Sequence, residues 1–192
     1  MKFVFHKPYR AANEDELAVL PAELTRNKNV IYKADRSAIG ALKSLLGSAR
    51  KDGVTIVVIS AYRGYEKQKE LFIDAEKRHG KGKGILWLAP PGYSEHHTGY
   101  VFDLADESRP ESDDEESFRD TPSFQWLSKN AGDFGFELSF PENNWQGVGY
   151  EPWHWRFAGG EKSMGIFHPG VLKSAKNLIK SVCNGIYRRL IV

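Results

Sequence analysis

His96 and Asp103 stand at the two ends of the segment Ser94-Glu95-His96-His97-Thr98-Gly99-Tyr100-Val101-Phe102-Asp103. An imidazole nitrogen and a carboxylate oxygen are both donors that zinc accepts. Gly99 between them lets the chain bend so that the two side chains converge. His97 competes with His96 for the ligand role, and because neighbours in an extended segment point to opposite sides, one of the pair at most faces a given metal. A second segment, Tyr150-Glu151-Pro152-Trp153-His154-Trp155, sets an acid shortly before a histidine. Metal-assisted hydrolysis needs that pairing if His154 holds the metal and Glu151 takes the proton of the attacking water. Pro152 has no N–H for a sheet ladder, and an irregularity there would turn Glu151 and His154 toward one cavity. The third segment is Ser60-Ala61-Tyr62-Arg63-Gly64-Tyr65-Glu66-Lys67-Gln68. Arg63 lies there at the carboxyl end of an apolar run, placed to meet an anion or a polarised oxygen.

Taken singly, each segment has a plainer reading: a surface arginine at a turn, a solvated histidine loop, an aromatic core strand with a buried histidine. Jointly they supply two histidines and an aspartate for zinc with a fourth position open, together with a carboxylate base and a cation. A purely structural zinc would want a fourth protein ligand, usually cysteine, and the one cysteine, Cys183, is distant in sequence. The same count excludes an internal disulfide framework.

The elements that must position these residues are legible from periodicity. Arg36 to Arg50 carries Ile39, Leu42, Leu45 and Leu46 at helical spacing, ended by Gly53, and Val54 to Ile59 is a β-branched run that reads as a buried strand. Tyr65 to His79 is helical again and closes at Gly80, before a Gly- and Lys-rich loop at 81–84. Asp106 to Asp120 holds eight acidic and two basic residues, a local charge of −6, and reads as a solvated surface loop. Thr121 opens a further helix with Pro122 at its first position, and Phe136 to Phe140 and Tyr150 to Phe157 read as strands. From Val171 to Val192 five basic residues and no acids accompany apolar residues at helical spacing, which predicts a basic C-terminal helix docked on the core, with a helix lying on an anionic membrane surface as the alternative.

A length of 192 residues fits one compact catalytic domain, 1–192, and the apolar fraction of 41% is that of a globular chain. A net charge of +2 gives no global field for nucleic acid, so no nucleic-acid partner is expected, and the protein is read as a monomer. The apolar start Phe3-Val4-Phe5 is too short for a signal peptide, and no window approaches a membrane span, so the chain as written reads as cytoplasmic.

The ordered motifs Ser94-x-His96-x-x-Gly99-x-Val101-x-Asp103 and Glu151-x-Trp153-His154, preceded by Ser60-x-Tyr62-Arg63 with Gln68, resemble those of the VanY-like D-alanyl-D-alanine carboxypeptidases. These are zinc metallopeptidases of the wider group that includes lysostaphin-type enzymes and hedgehog domains. The resemblance covers roughly residues 36–160. It implies an α+β fold with a small antiparallel sheet flanked by helices, and Zn2+ as cofactor. It implies His96, Asp103 and His154 as zinc ligands, Glu151 as general base, Arg63 as stabiliser of the developing oxyanion, and Gln68, Ser94 and Trp153 in the substrate pocket. Val101 departs from the family's usual alanine, and His97 falls on a variable position often held by glutamine, which favours His96 as the ligand. The implied substrate is a peptidoglycan stem peptide or a D-Ala-terminated muropeptide, cleaved by D,D-carboxypeptidase activity. L,D-carboxypeptidase activity on tetrapeptide stems, D-Ala-D-Ala dipeptidase activity and a non-catalytic peptidoglycan-binding module are the alternatives. If a leader or anchor precedes the chain, the family's role suggests the cell wall or periplasm.

Overall fold

The computed structural model describes residues 4–86 and 88–174. Two compact units divide the chain, Met1–Phe157 and Ala158–Val192. In the second, helix α4 (Glu161–Phe167) is followed by a further helical stretch at residues 169–174. The expected basic helix over 171–192, with Cys183, lies outside the described residues from 175 onward.

The first unit is α+β, as the motifs imply. Its first strands, β1 (Leu17–Val19) and β2 (Lys33–Asp35), form an antiparallel pair. Helix α1 (Arg36–Lys51) follows immediately. The Asp35 carboxylate caps it by accepting from the Ser37 N–H at 2.9 Å, and Ala38, Ile39, Leu42, Leu45, Leu46 and Ala49 form its buried stripe. The β-branched run becomes β3 (Ile56–Ser60), and α2 spans Tyr65–His79, the bounds its amphipathic pattern predicts. Strand β4 (Val101–Asp106) is buried along its whole length. Helix α3 (Pro122–Asn130) is capped by the Thr121 hydroxyl, which accepts from the Phe124 N–H at 3.2 Å. Strands β5 (Phe136–Leu138) and β6 (His154–Phe157) complete a four-stranded antiparallel sheet in the order β3-β4-β6-β5.

Three expectations change. The strand read from Tyr150 begins only at His154, because the chain turns at Pro152 and the His154 N–H bonds back to the Glu151 carbonyl at 3.1 Å. The strand read from Phe136 stops at Leu138. The acidic stretch 106–120 lies largely at the surface, as its charge predicts, but it is folded where a loop was expected: Asp106 ends β4 in a buried position, short 3-10 turns form at Pro110–Ser112 and Glu116–Asp120, and the Phe118 ring is fully enclosed. Specific partners make this tolerable despite the local charge. Arg26 donates to the carbonyls of Asp106 and Glu107 and to the Asp113 carboxylate at 2.6 Å, and the Asp106 carboxylate accepts from the N–H groups of Ser108 and Ser123.

Candidate metal centre

Two central strands deliver two of the candidate ligands. Asp103 on β4 and His154 on β6 are paired residues of the antiparallel ladder, and Ser60 on β3 pairs with Asp103 from the other side after a register shift next to Val58. The third candidate comes from the 3-10 turn Glu95–Thr98, which ends at Gly99 with φ of 75°. A side chain at Gly99 would meet Leu17 Cδ2 and the backbone nitrogen of Asp35 at 3.0 and 3.1 Å, so the position needs both the left-handed backbone and the missing Cβ.

The turn is laced to the strand end that carries Arg63. The Arg63 N–H donates to the His96 carbonyl at 3.1 Å, His96 Nδ1 lies 2.7 Å from the Ala61 carbonyl, and His97 Nδ1 lies 2.6 Å from the Arg63 carbonyl. A carbonyl only accepts, so in both histidines Nδ1 carries the proton. The consequence separates them. His97 Nε2 accepts from the Gly92 N–H at 3.0 Å, which uses both of its nitrogens, whereas His96 Nε2 is left facing Asp103 Oδ2 at 3.1 Å. The two histidines that compete in the sequence are thus distinguished by their hydrogen bonds.

His96, Asp103 and His154 are all buried, and one donor atom from each lies within 4.8 Å of the others, a grouping that could hold a metal ion. His154 Nδ1 sits 3.2 Å from Asp103 Oδ1 and 3.4 Å from Glu151 Oε2. Asp103 Oδ1 is buried without a hydrogen-bond partner. An orphaned carboxylate oxygen beside two imidazole nitrogens is costly in a protein interior, and a cation bound among them would satisfy it. The donor set, two nitrogens and a carboxylate with no thiolate, is one that zinc takes in open sites.

The charges are strongly perturbed. Burial opposes the charged form of His154, but the adjacent carboxylates of Asp103 and Glu95 and the charge of Glu151 override it and push its pKa up to about 10. Burial holds His96 below its ordinary value. Asp103 stays well below the usual carboxylate range, because the adjacent histidines outweigh its burial. Glu151 is pushed up to about 7, chiefly by burial and then by the nearby carboxylates of Asp103 and Glu95 against the opposing charge of His154. A carboxyl poised near neutrality is suited to accepting and returning a proton.

Arg63 approaches the same carboxylate, Nη2 to Asp103 Oδ2 at 3.8 Å. Its guanidinium is held by Gln68 Oε1 at 2.9 Å and Ser60 Oγ at 3.1 Å. Gln68 is fully buried and its amide donates to the Ala89 carbonyl at 2.7 Å, so its effect is on the orientation of Arg63. Ser94 is the buried residue that begins the 95–98 turn, and Trp153 is half-buried beside His154, its carbonyl accepting from the Leu104 N–H.

Two features escape a reading of residue types. Glu95, between Ser94 and His96, is a fully enclosed carboxylate whose Oε2 lies 3.1 Å from His154 Nε2. Its Oε1 accepts from Arg156 Nη1 at 2.7 Å and from the Tyr9 hydroxyl at 3.0 Å. The period-two alternation of a strand puts Arg156 on the face of His154, the one signal that pointed to it. Asp114, in the acidic segment, is solvent-exposed with a left-handed backbone at φ of 56°, and desolvation by the chain around it, followed by the charge of Asp103, raises its carboxyl.

Comparison with known proteins agrees with this geometry. The VanY family model, D-alanyl-D-alanine carboxypeptidase, matches residues 32–160. A D-alanyl-D-alanine carboxypeptidase of Enterococcus faecalis (strain ATCC 700802 / V583) is 34% identical over 142 residues, covering 68% of this chain and 50% of that protein. The chain spans about half the length of the curated relatives it matches, 46% in the case of one from Bacillus subtilis (strain 168). Among solved structures, the LdcB LD-carboxypeptidase superposes with a TM-score of 0.71 at 29% identity, over 82% of this chain and 73% of that one. VanYB in complex with D-alanine-D-alanine gives 0.63 at 29% identity, over 91% and 96%. A vancomycin-resistance D,D-pentapeptidase VanY in complex with Zn(II) gives 0.58 at 27% identity, over 82% and 92%. With its motifs in order along the matched segment and the α+β sheet that carries them in place, the chain belongs to the VanY D-alanyl-D-alanine carboxypeptidase family.

Proposed function

We propose that the chain is a zinc-dependent carboxypeptidase that hydrolyses the terminal D-Ala from peptidoglycan stem peptides, with D,D-carboxypeptidase activity on pentapeptide ends. The observation that carries this reading is the convergence of His96, Asp103 and His154 on one buried point, with Glu151 Oε2 at 3.4 Å from His154 Nδ1 and Arg63 Nη2 at 3.8 Å from Asp103 Oδ2. His96 Nε2, an Asp103 oxygen and His154 Nδ1 would hold the ion. Zinc bound there supplies Lewis acidity and an acidified water.

The chain's own groups do the rest. Glu151 takes the proton of the water that attacks the scissile carbonyl and returns it to the leaving amine. Arg63, fixed by Ser60 and Gln68, stands ready to share the negative charge that develops on the carbonyl oxygen; loss of one such donor typically costs about 10²–10³ in turnover. Ser94 and Trp153 flank the ligand turn and His154, where a substrate main chain would lie.

L,D-carboxypeptidase activity on tetrapeptide stems is the second reading, supported by the likeness to the LdcB LD-carboxypeptidase. The two are separated by incubating synthetic penta- and tetrapeptide stems with zinc-loaded protein, with and without chelator, and weighing the products. Loss of one D-Ala from the pentapeptide alone supports the first reading, and loss from the tetrapeptide the second. Release of the D-Ala-D-Ala unit would indicate a dipeptidase. No zinc-dependent product from any stem overturns the proposal.

A further inference from the structure

Resting on the zinc-site reading above, we infer that Glu95 is a positioning residue that makes His154 a metal ligand through Nδ1. A carboxylate only accepts hydrogen bonds, so Glu95 Oε2 at 3.1 Å from His154 Nε2 requires the proton on Nε2. The ring nitrogen left for a metal is Nδ1, which faces Asp103 at 3.2 Å and Glu151 at 3.4 Å. His96 is served differently: its orienting acceptor is the neutral carbonyl of Ala61, which leaves Nε2 for the ion. The two imidazoles therefore reach the same point through opposite nitrogens, their rings edge to face with centroids 4.9 Å apart.

A charged orienting group also raises the basicity of the imidazole it holds. Glu95 can stay ionised in a fully enclosed position because Arg156 Nη1 and the Tyr9 hydroxyl share its other oxygen, and Arg156 is itself held by Glu137 at 2.6 Å. The chain Glu137–Arg156–Glu95–His154 thus runs from the surface of β5 to the metal point, with three of its four members on the adjacent strands β5 and β6.

This arrangement makes an unusual demand of the nearest isostere. In Glu95→Gln one end of the amide is an oxygen and the other an NH2. Arg156 has no acceptor atom, so the oxygen must face Arg156 and the NH2 must face His154 Nε2. Nε2 then has to accept, the proton moves to Nδ1, and the nitrogen aimed at the metal is blocked. Removing the donor-only partner in Glu95→Gln/Arg156→Met frees the amide to turn, since the Tyr9 hydroxyl can accept from NH2 and the oxygen can return to His154.

The experiment is zinc affinity by competition with a chromophoric chelator, measured on the full chain, for the wild type, Glu95→Gln and the double variant. It is joined by long-range 1H–15N correlation spectra of the zinc-loaded wild type, which report which imidazole nitrogen is protonated. The expected results are about 10–100-fold weaker zinc binding in Glu95→Gln, tighter binding in the double variant than in the single one, and one histidine bound to zinc through Nδ1 with its Nε2 protonated. Glu95→Gln binding zinc as the wild type does overturns the inference, as does a double variant that binds no more tightly than the single one. If Glu95→Gln does not fold, the wild-type spectra decide alone: zinc ligation of both histidines through Nε2 overturns it. A wild type that binds zinc but cleaves no stem peptide sinks only the proposed activity, whereas a wild type that binds no zinc sinks both.

Discussion

Asp103 and His154 are direct partners in the antiparallel ladder between β4 and β6, and their side chains meet with His154 Nδ1 at 3.2 Å from Asp103 Oδ1. The side-chain alternation of a strand makes this pairing all-or-none: a slip of one residue in either strand would send one of the two to the opposite face. The candidate metal point is therefore tied to the register of the sheet core, and the third candidate ligand, His96, only has to be brought to it by the turn that ends at Gly99.

That turn should be sensitive to a single methyl. Gly99→Ala places a Cβ at 3.0 Å from Leu17 Cδ2 and 3.1 Å from the Asp35 nitrogen on a backbone with φ of 75°. The backbone strain alone is worth about 1–3 kcal/mol. Chemical denaturation of the metal-free protein should show a loss of at least that size, accompanied by weaker zinc binding because His96 moves with the turn.

Glu151 and His154 should separate chemistry from binding. Glu151→Gln should retain zinc within a few-fold by chelator competition and yet lose activity by at least about 10², the size of a general-base contribution. His154→Ala should lose both zinc and activity. It should also destabilise the metal-free fold by about 3–5 kcal/mol, since the buried carboxylates of Glu95 and Asp103 then both lose the imidazole they share. A Glu151→Gln protein that kept most of the wild-type rate would remove Glu151 from the mechanism.

Arg63 should depend on being a fork. Its Nη1 and Nη2 are held by different partners, Gln68 at 2.9 Å and Ser60 at 3.1 Å, and a lysine cannot reproduce both contacts. Arg63→Lys should lower kcat by about 10²–10³ with zinc affinity unchanged. Gln68→Ala should give a smaller loss of the same kind, because the guanidinium is kept but less well held. Steady-state kinetics alongside metal titration tests both.

Zinc uptake should be strongly pH-dependent. In the metal-free site His154 holds its proton up to about 10, and that proton must leave Nδ1 before the nitrogen can ligate. Affinity should therefore rise with pH through the neutral range toward 10, by about tenfold per unit for each proton displaced. The sign follows from the raised pKa: at lower pH the proton outcompetes the ion. Isothermal titration in buffers of different ionisation enthalpy would count the protons released. An affinity independent of pH between 6 and 8 would contradict the charge pattern of the site.

Much of this was readable along the chain. Helix α2 keeps the bounds its amphipathic spacing predicts, α1 and α3 begin where Asp35 and Thr121 supply cap oxygens, and the turn at Pro152 brings Glu151 to His154 as a missing N–H suggests. These features are local, set by neighbours within a few residues. The acidic segment was legible as surface but not as folded, because charge density says nothing of where Arg26 will be, and Arg26 is about eighty residues away in the sequence from Asp106. Glu95 passed as filler between two motif residues because its meaning comes from Arg156, Tyr9 and His154, all remote from it.

Residue order alone supplies the candidate inventory of this protein: the metal donors, the base, the cation, and the short elements that carry them. Without the family resemblance it leaves open which of His96 and His97 turns toward Asp103, and in either case which nitrogen each imidazole offers. Those questions are answered by the acceptor that each ring nitrogen meets across the fold, at Ala61, Arg63 and Glu95. The physical reason is that a proton's position on an imidazole depends on its hydrogen-bond partner, and here every such partner but one lies more than thirty residues away in the chain.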